Sequence, residues 1–283
     1  MPALSEFRTV QLGPGTVRYR EAGTGPVLVF VHGVFMNGLL WNSVASALSG
    51  GFRCVVPDLP LGAHEPAMRS GADLTPAGVA ATLLEFLAAL DLEEVTLVGS
   101  DTGSALCQLA IAAGPERVAR LVLTNGDSFE NFFPPVLAPF TVLPRIPGFV
   151  WLFAQCMRPL AARRLFARTV ARRLSDRATL DALFAPVWRD AGVRRDLKRF
   201  LTSVSKRYTL EAAKSFAGFA RPVLVVWGQN DLFFPARDGE RLAKSFPNAR
   251  LERIADSRTF VPVDQPAKLA ASIAEFVGTR VPA

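Results

Sequence analysis

The chain has 283 residues, half of them hydrophobic and 20% charged, with 21 glycines, 21 prolines and a formal charge of +7 from 32 basic and 25 acidic side chains. That length allows one large domain or two smaller ones with a real core, and the composition excludes a disordered chain, a collagen-like repeat and a disulfide-rich scaffold. Any mechanism that needs an imidazole must use one of two histidines, His32 and His64.

The N-terminal stretch MPALSEFRTV lacks a basic start followed by an apolar run, and no apolar run approaches the roughly 20 residues that span a bilayer. No transmembrane segment and a cytoplasmic location are therefore expected. Short β-rich runs follow at 9–12, 17–21, 27–31, 54–57, 95–99, 121–124 and 223–227, alternating with helical patterns, which argues for crossover units and a mainly parallel sheet. The runs from 27 onward are continuously apolar, as suits a sheet covered by helices on both faces. Thr75 and Pro76 open a predicted helix over 75–92, and further helices start near Leu40, Thr102, Arg237 and Pro266. Cys54, Cys107 and Cys156 lie far apart in apolar surroundings without ligand spacing, so they read as buried thiols in a reducing compartment. No metal and no cofactor are expected.

Between 131 and 216 the rhythm changes to a proline-rich entry followed by helical stretches without strand signals. This reads as a helical cap inserted into a core made of 1–130 and 217–283. Residues 145–207 carry 15 basic and four acidic side chains, net +11, which leaves the remainder at −4. The positive charge therefore belongs to the insertion. One reading is a solvated helix face, since Arg163, Arg164, Arg168, Arg172 and Arg173 recur at spacings that follow an exposed side. The other is contact with an anionic surface. Few aromatics interleave for base stacking, so nucleic acid is not expected as a partner.

The strongest local signal is Val98-Gly99-Ser100-Asp101-Thr102-Gly103, at the end of a predicted strand and the start of a predicted helix. A strand-turn-helix elbow needs small residues two before and two after its centre. Gly99 and Gly103 flank Asp101 in that register, whereas Ser100 would face Val98 and Thr102. His32-Gly33-Val34 follows an apolar strand, where a backbone N–H near Val34 can pair with that of Thr102 as an oxyanion hole. Asp231 follows the strand at 223–227, at the sheet edge where ligands bind in open α/β folds.

These motifs resemble the α/β-hydrolase fold, and the aspartate elbow resembles its haloalkane dehalogenase and epoxide hydrolase branch. The resemblance covers nearly the whole chain. It implies Asp101 as nucleophile, Val34 and Thr102 as oxyanion-hole amides, Asp231 as the acid that orients a base, and 131–216 as a cap over the pocket. It also implies a histidine before an aromatic residue and an acid-Gln-Pro helix start. Here Phe260 and Asp264-Gln265-Pro266 align, and Thr259 occupies the histidine's place.

A carboxylate can attack an sp3 carbon unaided, but hydrolysis of the resulting ester needs an activated water. With threonine at that position, turnover by the family mechanism should stall. His64, leaving a strand toward the same edge, is the substitute base to consider, and His32 reads as structural. Asp127 and Glu130 follow the strand at 121–124 and rival Asp231 as the orienting acid, each with a turn or cap role as the plain alternative. His32, Asp127, Glu130, Phe35 and Phe260 are pocket candidates. The stretch containing Phe129, Phe132, Phe133, Phe140, Phe149, Trp151 and Phe153 reads as core packing that can also line a channel. Thr102 stands where dehalogenases hold a halide-binding tryptophan, and Tyr208 is the one tyrosine in the cap, which weakens both named activities. The expected function is hydrolysis of a small to medium apolar ester, lactone, epoxide or alkyl halide through Asp101. The alternative is a non-hydrolytic lyase, cyclase or ligand-binding protein.

Overall fold

The computed structural model describes Leu4 and residues 6–278. The strands are β1 (Phe7–Gln11), β2 (Thr16–Ala22), β3 (Val27–Val31), β4 (Arg53–Pro57), β5 (Val95–Gly99), β6 (Val118–Thr124), β7 (Val223–Gly228) and β8 (Ala249–Ile254). They form one sheet in the order β1-β2-β4-β3-β5-β6-β7-β8. β2 pairs antiparallel with β1 and β4, and every other neighbour pair is parallel. This is an α/β sheet with helices on its faces, as the alternating pattern predicts. β5 and β7 are buried along their whole length because both faces are covered. β8 escapes the sequence reading: ARLERI at the sheet edge is mostly half-exposed and polar, so its strand character comes from its ladder with β7.

The core helices α1 (Asn42–Leu48), α2 (Pro76–Ala89) and α3 (Thr102–Ala113) precede a helical segment. That segment holds α4 (Pro139–Val142), α5 (Phe149–Cys156), α6 (Leu160–Val170), α7 (Arg177–Arg189), α8 (Ala191–Ser203) and α9 (Lys206–Ala213). The chain then returns through α10 (Ala236–Ser245), α11 (Val261–Asp264) and α12 (Pro266–Val277). Thr75 caps α2 by accepting from Gly78 N at 3.1 Å, with Pro76 in the first turn. α1 packs beside α12, and α2 beside α3.

The topology fixes where a ligand can sit. After β3 the chain steps outward to β4, then crosses back over β3 to reach β5. The strand order therefore reverses between β3 and β5, and the crevice at their carboxyl ends lies beside the loops that carry Val34 and Asp101. Among the described residues no helix is long and apolar enough to cross a membrane.

Three expectations need correction. Cys156 is exposed on α5, although Cys54 and Cys107 are buried. Arg163 does not share the solvated face of Arg164 and Arg168: it is buried, paired with Asp181 and stacked 4.8 Å over Trp188. Trp151 is 54% exposed, so it does not join the phenylalanine packing around it.

Candidate active site

The elbow is built from backbone. Asp101 sits at φ 57°, ψ −130° between β5 and α3, a conformation that costs of order 1–3 kcal/mol for a non-glycine residue. It is held by Asp101 N donating to Asn125 O at 2.8 Å, and by Ser104 N donating to Asp101 O at 2.9 Å. The glycines follow from crowding: a Cβ on Gly99 would stand 2.6 Å from Gly103 O, and one on Gly103 would stand 2.7 Å from His32 O. Gly33 and Gly126 belong to the same requirement, since side chains there would overlap the Asp101 carboxyl and its backbone carbonyl. Their positions carry no local signal, because the clash is with a residue distant in sequence.

Asp101 faces a cavity of about 30 Å³ between the sheet edge and the helical segment. Val34, Phe35 and Met36 line it from the loop after β3, Phe133, Phe140 and Phe166 from the helical segment, and Phe233, Phe234 and Phe260 from the later loops. Asp101 and Thr169 are the lining residues with polar side chains, and Asp101 alone is ionisable. Phe35, at φ 61°, meets Phe140, Phe153 and Phe166 with ring centroids 5.2 to 5.9 Å apart. Its amide is spent on Leu61 O at 2.9 Å. Phe260 N donates to Val170 O at 2.9 Å, which ties this wall to the end of α6.

Asp231 lies behind the cavity wall. Its Oδ1 accepts from Phe233 N at 2.8 Å, Phe234 N at 3.2 Å and Thr259 Oγ1 at 2.9 Å. Its Oδ2 is buried without a partner among the described residues. Asp127 is fully buried: Thr102 Oγ1 donates to its Oδ2 at 3.1 Å, while Oδ1 has no partner among the described residues. Burial and the neighbouring Asp231 push Asp101 up to about 7, against the opposing pull of the Thr102 N–H. Burial, then the Asp101 charge, raises Asp127 well above the usual carboxylate range, and burial raises Asp231. All three shifts run toward the protonated form, and burial is the first cause of each.

The remaining candidates lie elsewhere. Glu130 points to solvent in an ion pair with Arg241, which holds its carboxyl below the ordinary range; it neither lines the cavity nor approaches Asp101. His64 is buried, but its Nε2 stands 3.3 Å from Asp196 Oδ2 on α8 and its Nδ1 accepts from Gly62 N at 3.4 Å. It therefore links the loop after β4 to the helical segment and is not among the residues that line the Asp101 cavity. The reason is Asp196, a buried carboxylate 132 positions away that also accepts from Met68 N at 2.7 Å and from Arg195. His32 Nε2 accepts from Leu59 N at 2.8 Å, so Nδ1 carries the proton and donates to Gly33 O at 2.9 Å. Burial lowers its pKa to about 4, and it remains a neutral loop tie.

Thr169 and Phe166 are lining residues that sequence reasoning missed, as is a clamp at Asp264. Its Oδ1 accepts from Arg172 N at 2.7 Å and Arg173 N at 3.0 Å, and its Oδ2 from Arg258 N at 2.9 Å. One carboxylate thus joins the end of α6 to the loop that presents Thr259. Among the described residues, no three His, Cys, Asp or Glu side chains converge as metal ligands would.

Residues 26–266 match the family described as alpha/beta hydrolase fold. The chain is 26% identical over 285 residues to haloalkane dehalogenase 2 of Mycobacterium tuberculosis, covering 96% of this chain and 95% of that protein. It is 26% identical over 275 residues to a cis-3-alkyl-4-alkyloxetan-2-one decarboxylase of Shewanella oneidensis, covering 92% of this chain and 85% of that protein. The solved structure of a haloalkane dehalogenase from Bradyrhizobium elkani superposes with a TM-score of 0.78 at 18% identity, covering 96% of this chain and 97% of that one, so the two share a fold. The family match spans most of the chain and agrees with a sheet whose order reverses beside the Asp101 elbow, so the chain belongs to the alpha/beta hydrolase fold family.

Proposed function

We propose that this chain is an enzyme acting on a small to medium apolar molecule, that Asp101 is its reacting carboxyl, and that its reaction completes without an activated water. The observation that carries this reading is the Thr259–Asp231 hydrogen bond. The position that the resemblance assigns to a base holds a hydroxyl that donates to Asp231, and both imidazoles are engaged elsewhere. A threonine hydroxyl is far too weak a base to deprotonate water near neutral pH. The helical segment serves as the roof of the site, and the amides of Val34 and Thr102 face charge developing on oxygen.

A strained lactone suits this chemistry, and by its name the Shewanella relative decarboxylates one. The Asp101 carboxylate attacks the ring carbon that bears the ring oxygen, breaking that carbon–oxygen bond and freeing the lactone carboxylate. The bond between the carboxylate carbon and its neighbour then breaks and carbon dioxide leaves. Its electron pair forms the alkene and expels Asp101 as carboxylate. The catalyst is regenerated and no water is consumed.

A second reading, hydrolysis with Asp231 acting directly on water, is favoured by its raised carboxyl, whose Oδ2 has no partner among the described residues. The test is incubation with alkyl halides, epoxides, esters and dialkyl β-lactones, followed by intact mass and product analysis. The proposal expects turnover of the lactone to alkene, and a stoichiometric adduct with halide or epoxide that is lost in Asp101→Asn. Repeated hydrolysis of halide or epoxide by the wild type would favour the second reading, and inertness across the whole set would sink both.

A further inference from the structure

The helical segment exposes six large apolar side chains within a short stretch: Val136, Val142, Leu143, Ile146, Trp151 and Leu152, each between 36% and 66% exposed. A monomeric soluble protein rarely shows so dense an apolar patch without a partner for it. The same elements carry the cavity wall on their other side. Leu137 and Phe140 line the Asp101 cavity while Val136 and Val142 face out. On α5, Phe149 and Phe153 pack against Phe140, with ring centroids 6.2 and 5.4 Å apart, while Trp151 and Leu152 face out. One layer of short helices thus separates the cavity from the outer surface.

Charge frames this patch. A surface cleft of about 200 Å³ has Ile146 and Trp151 on one side and Arg194, Arg195 and Lys198 on the other. Of the 15 basic residues in 145–207, ion pairs engage three, Arg163, Arg177 and Arg195, which leaves 12 without an acidic partner among the described residues. An apolar face with exposed tryptophan that carries exposed Arg145 and is bordered by Lys198, neither of them with an acidic partner among the described residues, is complementary to the headgroup region of an anionic bilayer; Arg194 and Arg195 beside them are held by the carbonyls of Val187 and Trp188 and by Asp196. A second copy of the chain would bring two like-charged patches together.

We propose that this face, formed by 136–152 with Arg194, Arg195 and Lys198, docks on anionic lipid and places the Asp101 cavity beside a source of apolar substrate. The docking is independent of the chemistry proposed for Asp101 and is read without activity. Trp41 and Trp227 are fully buried and Trp188 is half-buried, so Trp151 is the most exposed tryptophan and reports on the patch.

The experiment mixes the full chain with vesicles of equal parts phosphatidylcholine and phosphatidylglycerol, and separately with pure phosphatidylcholine. Flotation and tryptophan emission are followed as sodium chloride rises from about 0.1 M to about 1 M, which shortens the Debye length from about 10 Å to about 3 Å. The expected result is flotation with the anionic vesicles, a blue shift in emission that Trp151→Phe removes without loss of flotation, and release at high salt. Trp151→Ser weakens partitioning about tenfold through lost apolar burial. Arg145→Ala and Lys198→Ala each weaken it about fivefold. Trp151 and Arg145 are exposed and Lys198 is half-exposed, so none of the three lies in the core and the melting temperature stays unchanged. Equal partitioning onto both vesicles, salt-insensitive partitioning, or none would overturn the proposal. So would binding to duplex DNA in place of vesicles, or a dimer in sedimentation that Trp151→Ser dissociates.

Discussion

Asp101→Asn should stabilise the protein, and the gain should grow with pH. The wild-type carboxyl moves from an ordinary 3.8 to about 7 on folding, chiefly because it is buried. A difference of about 3 pH units at 1.36 kcal/mol each comes to about 4 kcal/mol. With the folded value above the unfolded one, the folded chain binds more protons between about pH 4 and about pH 7. The stability contributed by this carboxyl is therefore full below about pH 4 and is lost as pH rises through about 7. Asparagine keeps the shape and does not titrate, so the advantage of the variant widens by about 2 to 4 kcal/mol between about pH 4 and about pH 8. The lower figure reflects screening where Asp101 opens onto the cavity. Removing the charge also relieves Asp127, which acts in the same direction. The assay is paired thermal melts across that pH range, where the widening corresponds to about 4 to 16 °C. A difference that stays flat with pH, or shrinks, would show that Asp101 is not a strained buried charge.

The same titration sets reactivity: only the carboxylate attacks, so adduct formation with an alkyl halide should rise with pH through about 7, and a rate falling across that range would contradict it. Thr259→His places an imidazole beside Asp231 and should accelerate loss of an Asp101 ester by about 10²- to 10⁴-fold, measured by the decay of the adduct mass. Asp196→Ala removes the acceptor shared by His64, Met68 and Arg195 and should cost about 3 to 5 kcal/mol, read in denaturant melts. His64→Gln should leave adduct formation at Asp101 unchanged, and a loss of labelling there would return His64 to the reaction.

What the sequence disclosed about the site was local. Asp101 is recognisable because the elbow forces small residues two places to each side, and Gly99 and Gly103 meet that demand within five positions. Strands β2 to β7 are recognisable because burial on one or both faces leaves its mark on composition, whereas β1, almost wholly exposed at its edge, is read only from a polar run paired with the next one. β8, at the other edge, has neither an apolar run nor a neighbouring strand in sequence to pair with. Asp127 and Glu130, three residues apart after the same strand, look equivalent in sequence. The turn after β6 sends one beneath Thr102 and the other out to Arg241. The partner of His64 was equally hidden, since a hydrogen bond between residues 132 positions apart exists only once α8 is laid over the loop after β4. Trp151 shows the limit of composition: in an aromatic-rich run nothing marks which ring faces outward until the helix phase is fixed by Phe149 and Phe153.

The claim that Asp101 works without activated water is tested most directly by turning over a dialkyl β-lactone in heavy-oxygen water, then analysing the products and the Asp101 peptide by mass spectrometry. The account predicts alkene, no hydroxy acid, and no heavy oxygen in Asp101. Hydroxy acid as the main product, with heavy oxygen entering the Asp101 carboxyl, would contradict it.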